Sequence, residues 1–199
     1  MMARAAQETW HLDDLCQGLD MRAPRVPVTG LSLDSRNVRP GHAFAVLAGT
    51  RAHGLDYLQA ALDAGAVAVL YDAADTRWDE LAAARCRASG AVAVAVPRLQ
   101  QQVGVVAARL VHEPASALES VVAVTGTDGK TSVSHFLACM LDEPAAPAAV
   151  FGTLGYGRVG GLTGGAMTTP DPVAFQTGLA DLVARGVRRV VIEASSHGL

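Results

Sequence analysis

Val121-Val-Ala-Val-Thr-Gly-Thr-Asp-Gly-Lys-Thr-Ser132 is the stretch on which the fold turns. The β-branched run over residues 121–125 reads as a strand. Gly126 and Gly129 then allow a turn whose backbone N–H groups point inward and cradle phosphate oxygens. Lys130 opens a helical pattern to Leu141, and the helix N-terminus adds partial positive charge. Strand, glycine turn and helix in that order point to a phosphate loop, with Lys130 reaching the β- and γ-phosphates and the Thr131 hydroxyl placed for Mg²⁺. The longer G-x-x-x-x-G-K-[ST] pattern would need glycine at 124, where Val124 stands, so the loop has the short T-G-x-x-G-K-T form. Gly126, Thr127, Asp128, Gly129, Lys130, Thr131 and Ser132 are therefore the expected phosphate-binding residues. The bland alternative is a chance glycine turn beside an exposed lysine, and the strand–turn–helix context weighs against it. Lys130 is also the sole lysine: Lys and Arg total 16, of which 15 are arginine.

The alternation continues on both sides of the loop. Downstream, residues 148–153 read as a strand and 155–165 as a glycine-rich loop. Asp171 makes an N-cap with Pro172 at the first helical position, opening a helix to about Arg185. Residues 189–194 read as the next strand. Within the helix that begins at Lys130, Val133, Phe136, Leu137 and Met140 share one side. Upstream, strands are expected at 28–33, 43–47, 66–71 and 91–96, with helices near 56–64 and 77–88. Leu99, Val103, Val106 and Leu110 follow a 4-3-4 spacing, one face of an amphipathic helix. His112-Glu113-Pro114 ends it, since proline disfavours helical geometry in the residue before it. These signals predict an α/β protein with largely parallel sheets and two domains, residues 1–115 and 116–199. The second sheet would have only three strands, as if cut short.

Composition narrows the function classes. Half of the 199 residues are hydrophobic, 18% are charged and the net charge is -3, so the chain can bury cores and is not disordered. A mildly acidic balance argues against a general nucleic-acid binder. The 37 alanines and the preference for arginine carry no functional reading. Cys16, Cys86 and Cys139 are far apart and form no CxxC pair, as expected of free thiols in a reducing compartment. Residues 1–14 include Glu8, Asp13 and Asp14 and show no apolar leader. Apolar runs such as 91–96 fall far short of the ~18 residues of a membrane helix. A soluble, cytoplasmic protein with no membrane or nucleic-acid partner is expected.

A second chemical signal is Val190-Val-Ile-Glu-Ala-Ser-Ser-His197. An apolar strand ending in a carboxylate presents an acid to a Mg²⁺-nucleotide beside a phosphate loop, although a solvated strand-end glutamate has the same sequence. His197 is a candidate general base, with a structural role the commoner use of such a histidine.

With Thr125-Gly-Thr-Asp-Gly-Lys-Thr131 in place, the chain resembles the ATP-dependent Mur ligases of peptidoglycan synthesis. Leu33-Asp-Ser-Arg36 with Pro40-Gly41 and Gly49, Thr168-Thr-Pro-Asp171 and Glu193-Ala-Ser-Ser-His-Gly-Leu199 narrow the likeness to the MurE type. His112-Glu-Pro114 and Gly152-Thr-Leu-Gly155 are similar to that family too. The resemblance runs over essentially the whole sequence but only the opening part of a typical family chain.

It implies an N-terminal α/β domain that binds the UDP end of the substrate through Leu33, Ser35, Thr50, Arg51 and Ala52. It implies a P-loop ATPase domain with Lys130 and Glu193 as catalytic residues and Thr131 and Glu193 on Mg²⁺. Thr168, Thr169 and Ser195 would contact the muramoyl-peptide part. From the residues alone, Asp34-Ser35-Arg36 is an ordinary turn and Thr168-Thr-Pro-Asp171 a helix cap. The implied reaction adds meso-diaminopimelate or L-lysine to UDP-MurNAc-L-Ala-D-Glu through an acyl phosphate, with ATP and Mg²⁺, in a protein monomeric when complete. Asp128 stands where the family usually has asparagine. Family members also use a carbamylated lysine farther along and a third domain for the amino acid, so the 199 residues alone are expected to bind nucleotide without ligating. Two other readings remain at this point: a folylpolyglutamate-synthetase-like ligase, and a non-catalytic nucleotide or nucleotide-sugar module.

Overall fold

The computed structural model describes residues 9–19, 21–49, 52–164 and 171–194. The chain divides into two compact units, Met1–Leu110 and Val111–Leu199. The division falls just after the long helix, where His112 and Glu113 take left-handed φ values of 60° and 50° ahead of Pro114.

The first unit holds strands β1 (Trp10–His11), β2 (Pro27–Val28), β3 (Gly30–Ser32), β4 (His42–Val46), β5 (Ala68–Asp72) and β6 (Val92–Val96). Its helices are α1 (Leu12–Leu15), α2 (Leu58–Asp63), α3 (Glu80–Ala88) and α4 (Leu99–Leu110). β3, β4, β5 and β6 lie side by side in that order, all parallel. Successive side chains of a strand point to opposite faces. Phe44, Val46 and Val69 pack with Leu58, Leu62, Ala82 and Cys86 of α2 and α3. α4 packs on β3 and β5 through its 4-3-4 stripe, with Leu99, Val103 and Val106 at most 2% exposed.

The strand expected over 28–33 is two pieces. Pro27–Val28 pairs antiparallel with β1, whereas Gly30–Ser32 pairs parallel with β4. Glycine at 30 leaves room for His42: a Cβ there would lie 2.7 Å from its Nε2. The helix expected from 56 starts instead as a turn of 3₁₀-helix, Gly54–Tyr57, which His53 and Asp56 cap reciprocally. The helix expected from 77 begins at Glu80, where Asp79 accepts the amide of Ala82.

The second unit holds β7 (Ser120–Val124), β8 (Ala148–Gly152), β9 (Gly155–Gly157) and β10 (Arg189–Glu193), with α5 (Lys130–Leu141) and α6 (Pro172–Ala184). The sheet order is β7-β10-β8-β9. β10 runs parallel to both neighbours, which brings the last strand between the first two. Alternation divides the sheet between the helices: Ala149, Phe151 and Val190 face Leu179 and Leu182 of α6, while Val150 and Val191 face Ala138 of α5. Asp171 caps α6, its Oδ1 accepting the amides of Val173 and Ala174 at 2.9 Å each.

One expectation fails here. The sheet has a fourth strand, because the glycine-rich stretch from Gly155 folds back as β9 and pairs antiparallel with β8. The apolar stripe of α5 faces outward: Val133, Phe136 and Met140 are 51%, 69% and 79% exposed, and Ser134 and Ala138 are the buried residues. Only Leu137 of that stripe packs against the core.

Candidate nucleotide site

The register of β10 builds the site. Glu193 pairs with Val124, the last residue before the glycine turn, and Ile192 pairs with Phe151 one step before Gly152. The carboxylate therefore emerges between the carboxyl ends of β7 and β8, where open parallel sheets gather their ligands. The turn is made by Gly126 at φ 151° and Gly129 at φ 76°, conformations open to glycine. Lys130 follows as the first residue of α5, so the helix N-terminus faces the same end of the sheet.

A cleft of about 340 Å³ results, lined by Thr127, Asp128, Gly129, Lys130, Thr131, Ser132, Thr153 and Glu193. The Lys130 ammonium lies across the turn, donating to the carbonyls of Gly126 at 2.6 Å and Thr127 at 3.2 Å. Glu193 is 2% exposed. The Thr131 and Thr153 hydroxyls both donate to its Oε2, at 3.0 and 2.9 Å. Its Oε1 is buried with no hydrogen-bond partner among the described residues. A buried carboxylate short of a donor is costly, and a divalent cation is the group that offsets such a deficit. Among the described residues no three His, Cys, Asp or Glu converge as a metal site. One carboxylate, one hydroxyl and a nucleotide's phosphates match Mg²⁺, which keeps several waters and rarely uses an all-protein cage.

Glu193 is thus a buried acid beside the glycine turn, not a solvated strand end. Thr153 is the residue that sequence reasoning passed over. It stands in the Gly152-Thr-Leu-Gly155 stretch, and the signal available was its place at the end of a strand adjoining the acid-bearing one.

The other proposed contacts are divided. In the first unit, Leu33 and Ser35 follow β3, and Ala52 belongs to the segment after β4; as these strands are parallel, both segments leave the sheet at its carboxyl end. Ser35 starts a 3₁₀ turn capped by Asp34, whose carboxylate accepts the Arg36 amide and guanidinium and is held below the usual carboxylate range by them. Ala52 is exposed, its carbonyl accepting the Gly49 amide. Thr50, Arg51, Thr168, Thr169, Ser195 and His197 lie outside the described residues.

Two family models match the chain: "Mur ligase family, catalytic domain" over residues 27–110 and "Mur ligase middle domain" over 124–199. The chain belongs to the Mur ligase family. Among its relatives, the UDP-N-acetylmuramoyl-L-alanyl-D-glutamate--2,6-diaminopimelate ligase of Alkalilimnicola ehrlichii is 47% identical over 176 residues, covering 87% of this chain and 35% of that protein. The enzyme of the same name from Chromobacterium violaceum is 41% identical, covering 87% and 34%. A solved structure of a ligase with that name superposes with a TM-score of 0.73 at 28% identity, over 96% of this chain and 37% of that one. This Mur ligase chain thus spans about a third of the length of the curated relatives it matches. The model for 27–110 also covers the unit ahead of the phosphate loop, which a folylpolyglutamate-synthetase-like chain would lack.

Proposed function

We propose that the second unit binds ATP with Mg²⁺ and that the first binds the UDP end of UDP-MurNAc-L-Ala-D-Glu, as parts of a ligase that adds a diamino acid to that dipeptide. The observation that carries this reading is the convergence of Lys130, Thr131 and buried Glu193 on one cleft at the end of a parallel sheet. In this reading Thr131 and Glu193 hold the Mg²⁺, which supplies neutralisation of the triphosphate charge. The amides of 126–132 and the start of α5 receive phosphate oxygens. Lys130 exchanges two carbonyl partners for the β- and γ-phosphates. Phosphoryl transfer depends mainly on such positioning and charge neutralisation, so these residues suit activation of the glutamate side-chain carboxylate as an acyl phosphate. Leu33, Ser35 and the segment 50–52 would receive the uridine nucleotide, and Thr168, Thr169 and Ser195 the muramoyl-peptide. The names of the relatives favour 2,6-diaminopimelate over lysine as the incoming amine.

The test is titration calorimetry with ATP and Mg²⁺ on the chain and on Lys130→Ala. A charge pair at ~4 Å is worth about 4 kcal/mol at an effective dielectric near 20, and salt removes part of that. Retaining half of it means roughly a thirtyfold loss of affinity in the variant. Equal affinities would refute the phosphate-loop assignment.

A further inference from the structure

The two oxygens of Glu193 have unlike surroundings. Oε2 takes both hydroxyl protons, from Thr131 on α5 and from Thr153 just after β8. Oε1 lies over Gly152, where an added Cβ would be 2.2 Å away, and has no partner among the described residues. Thr131 belongs to the phosphate loop and has a role there. Thr153 belongs to no motif with an assigned role, yet its bond to the acid is as short as that of Thr131.

We infer that Thr153 is a positioning residue for the cation site: its hydroxyl fixes the plane of the Glu193 carboxylate, so the acid meets a divalent cation in one orientation. The terminal torsion of a glutamate is broad, and one donor on one oxygen leaves the carboxylate free to swing about that bond. A second donor from a different element removes that freedom. Gly152 lets the carboxylate lie against the strand, since an added Cβ would be 2.2 Å from Oε1. The Thr131 hydroxyl, with its proton on Oε2, keeps its lone pairs for the cation. Without Thr153, Thr131 is the single donor to the acid among the described residues, and each reorientation of the acid takes the Thr131 hydroxyl with it. Groups that orient a metal ligand typically contribute about tenfold to a hundredfold in metal affinity.

The inference rests on the proposed ATP and Mg²⁺ site, and its experiment separates the two. Affinity for ATP is measured on the full chain with Mg²⁺ and with chelator, for wild type, Thr153→Val and Thr153→Ser. Mn²⁺ spectroscopy in the presence of ATP gives the cation affinity directly. Thr153→Val is expected to bind ATP in chelator as wild type does, and to need about tenfold more Mg²⁺ or Mn²⁺ for the metal-dependent gain. Thr153→Ser, which keeps the hydroxyl, restores the wild-type cation requirement. Thr153→Ala with matched far-UV spectra repeats the measurement should the valine variant fold poorly. A wild-type cation requirement in Thr153→Val overturns the inference while leaving the nucleotide site standing. So does an equal loss of affinity with and without metal, or a serine variant that fails to restore, since each marks a purely structural threonine. Absence of any nucleotide binding by wild type overturns the site and the inference together.

Discussion

Gly152→Ala tests the packing on which the acid depends. The new Cβ would sit 2.2 Å from Oε1, 2.4 Å from Cδ and 2.7 Å from Cγ of Glu193. The backbone cannot give way, because β8 is paired with β10 on one side and Gly152 pairs with Gly155 on the other. The carboxylate must therefore retreat by about 1 Å to reach ordinary contact distance. That movement breaks the bonds from Thr131 and Thr153, which are 3.0 and 2.9 Å long at rest. Overpacking costs about 1–3 kcal/mol, and hydrogen bonds to a charged acceptor contribute about 1.5–3 kcal/mol each, part of which water entering from the cleft restores once the carboxylate has moved. A net loss of about 2–4 kcal/mol from the second unit is expected. Urea denaturation followed by far-UV circular dichroism reads the total, and hydrogen exchange over residues 148–157 localises it. The Mg²⁺ dependence of ATP binding should weaken by at least about tenfold. A variant within about 0.5 kcal/mol of wild type and with its normal cation dependence would refute the reasoning.

Two further outcomes concern other parts of the molecule. Cys139 is exposed on α5, whereas Cys16 and Cys86 are buried and burial pushes the Cys16 thiol up to about 11; a thiol-specific chromogen should find one fast group per folded chain, lost in Cys139→Ser, and a fast second group would contradict the burial. His42 is held below the usual imidazole range by loss of water, with Arg39 adding to the effect. Its proton therefore binds the unfolded chain first, so the first unit should lose stability as pH falls through about 6.5 towards the lower folded value. Both tryptophans, Trp10 and Trp78, lie in that unit and report the melt, and His42→Leu should flatten this part of the slope; an unchanged slope would assign it to other groups.

The alternation of the elements was legible because each depends on local signals. The strands at 92–96 and 120–124 are β-branched runs, α4 carries an unbroken 4-3-4 stripe, and α6 opens on Asp171-Pro172. What escaped the sequence depends on partners distant along the chain. The split at Thr29 follows from a change of partner, β1 before it and β4 after it, and neither partner is legible from residues 28–33 alone. β9 is three residues, Gly155-Tyr-Gly157, and its only apolar side chain is Tyr156, stacked on Phe151 at a centroid distance of 4.9 Å. No periodicity can announce a strand so short. The glycine turn and the helix it opens were visible because their residues are contiguous, and the strand-end place of Glu193 because an acid ends an apolar strand. Thr153 was not, since its role exists only once β10 has been inserted beside β8.

α5 shows how the site governs packing. Its sequence offers two candidate inner faces, an apolar one through Val133, Phe136 and Met140 and a small-residue one through Ser134 and Ala138. Counting apolar residues favours the first. The helix, however, begins at Lys130, and its second residue is tied to Glu193 through the Thr131 hydroxyl. On a helix, residues three, seven and ten positions further on share the face of the first. With Thr131 turned to the acid, Ser134, Ala138 and Leu141 must turn to the sheet. Ser134 is fully buried and satisfies its hydroxyl on the Thr131 carbonyl at 3.0 Å, so the inward polar group leaves no unpaired donor. Small side chains there let the helix lie close to Val150 and Val191, which brings the N-terminal turn within reach of the cleft. The apolar pattern determines that a helix forms over these residues. Its rotation agrees with both the Thr131 hydroxyl on Glu193 and the small residues packed on the sheet, and Phe136 and Met140 lie on the opposite side.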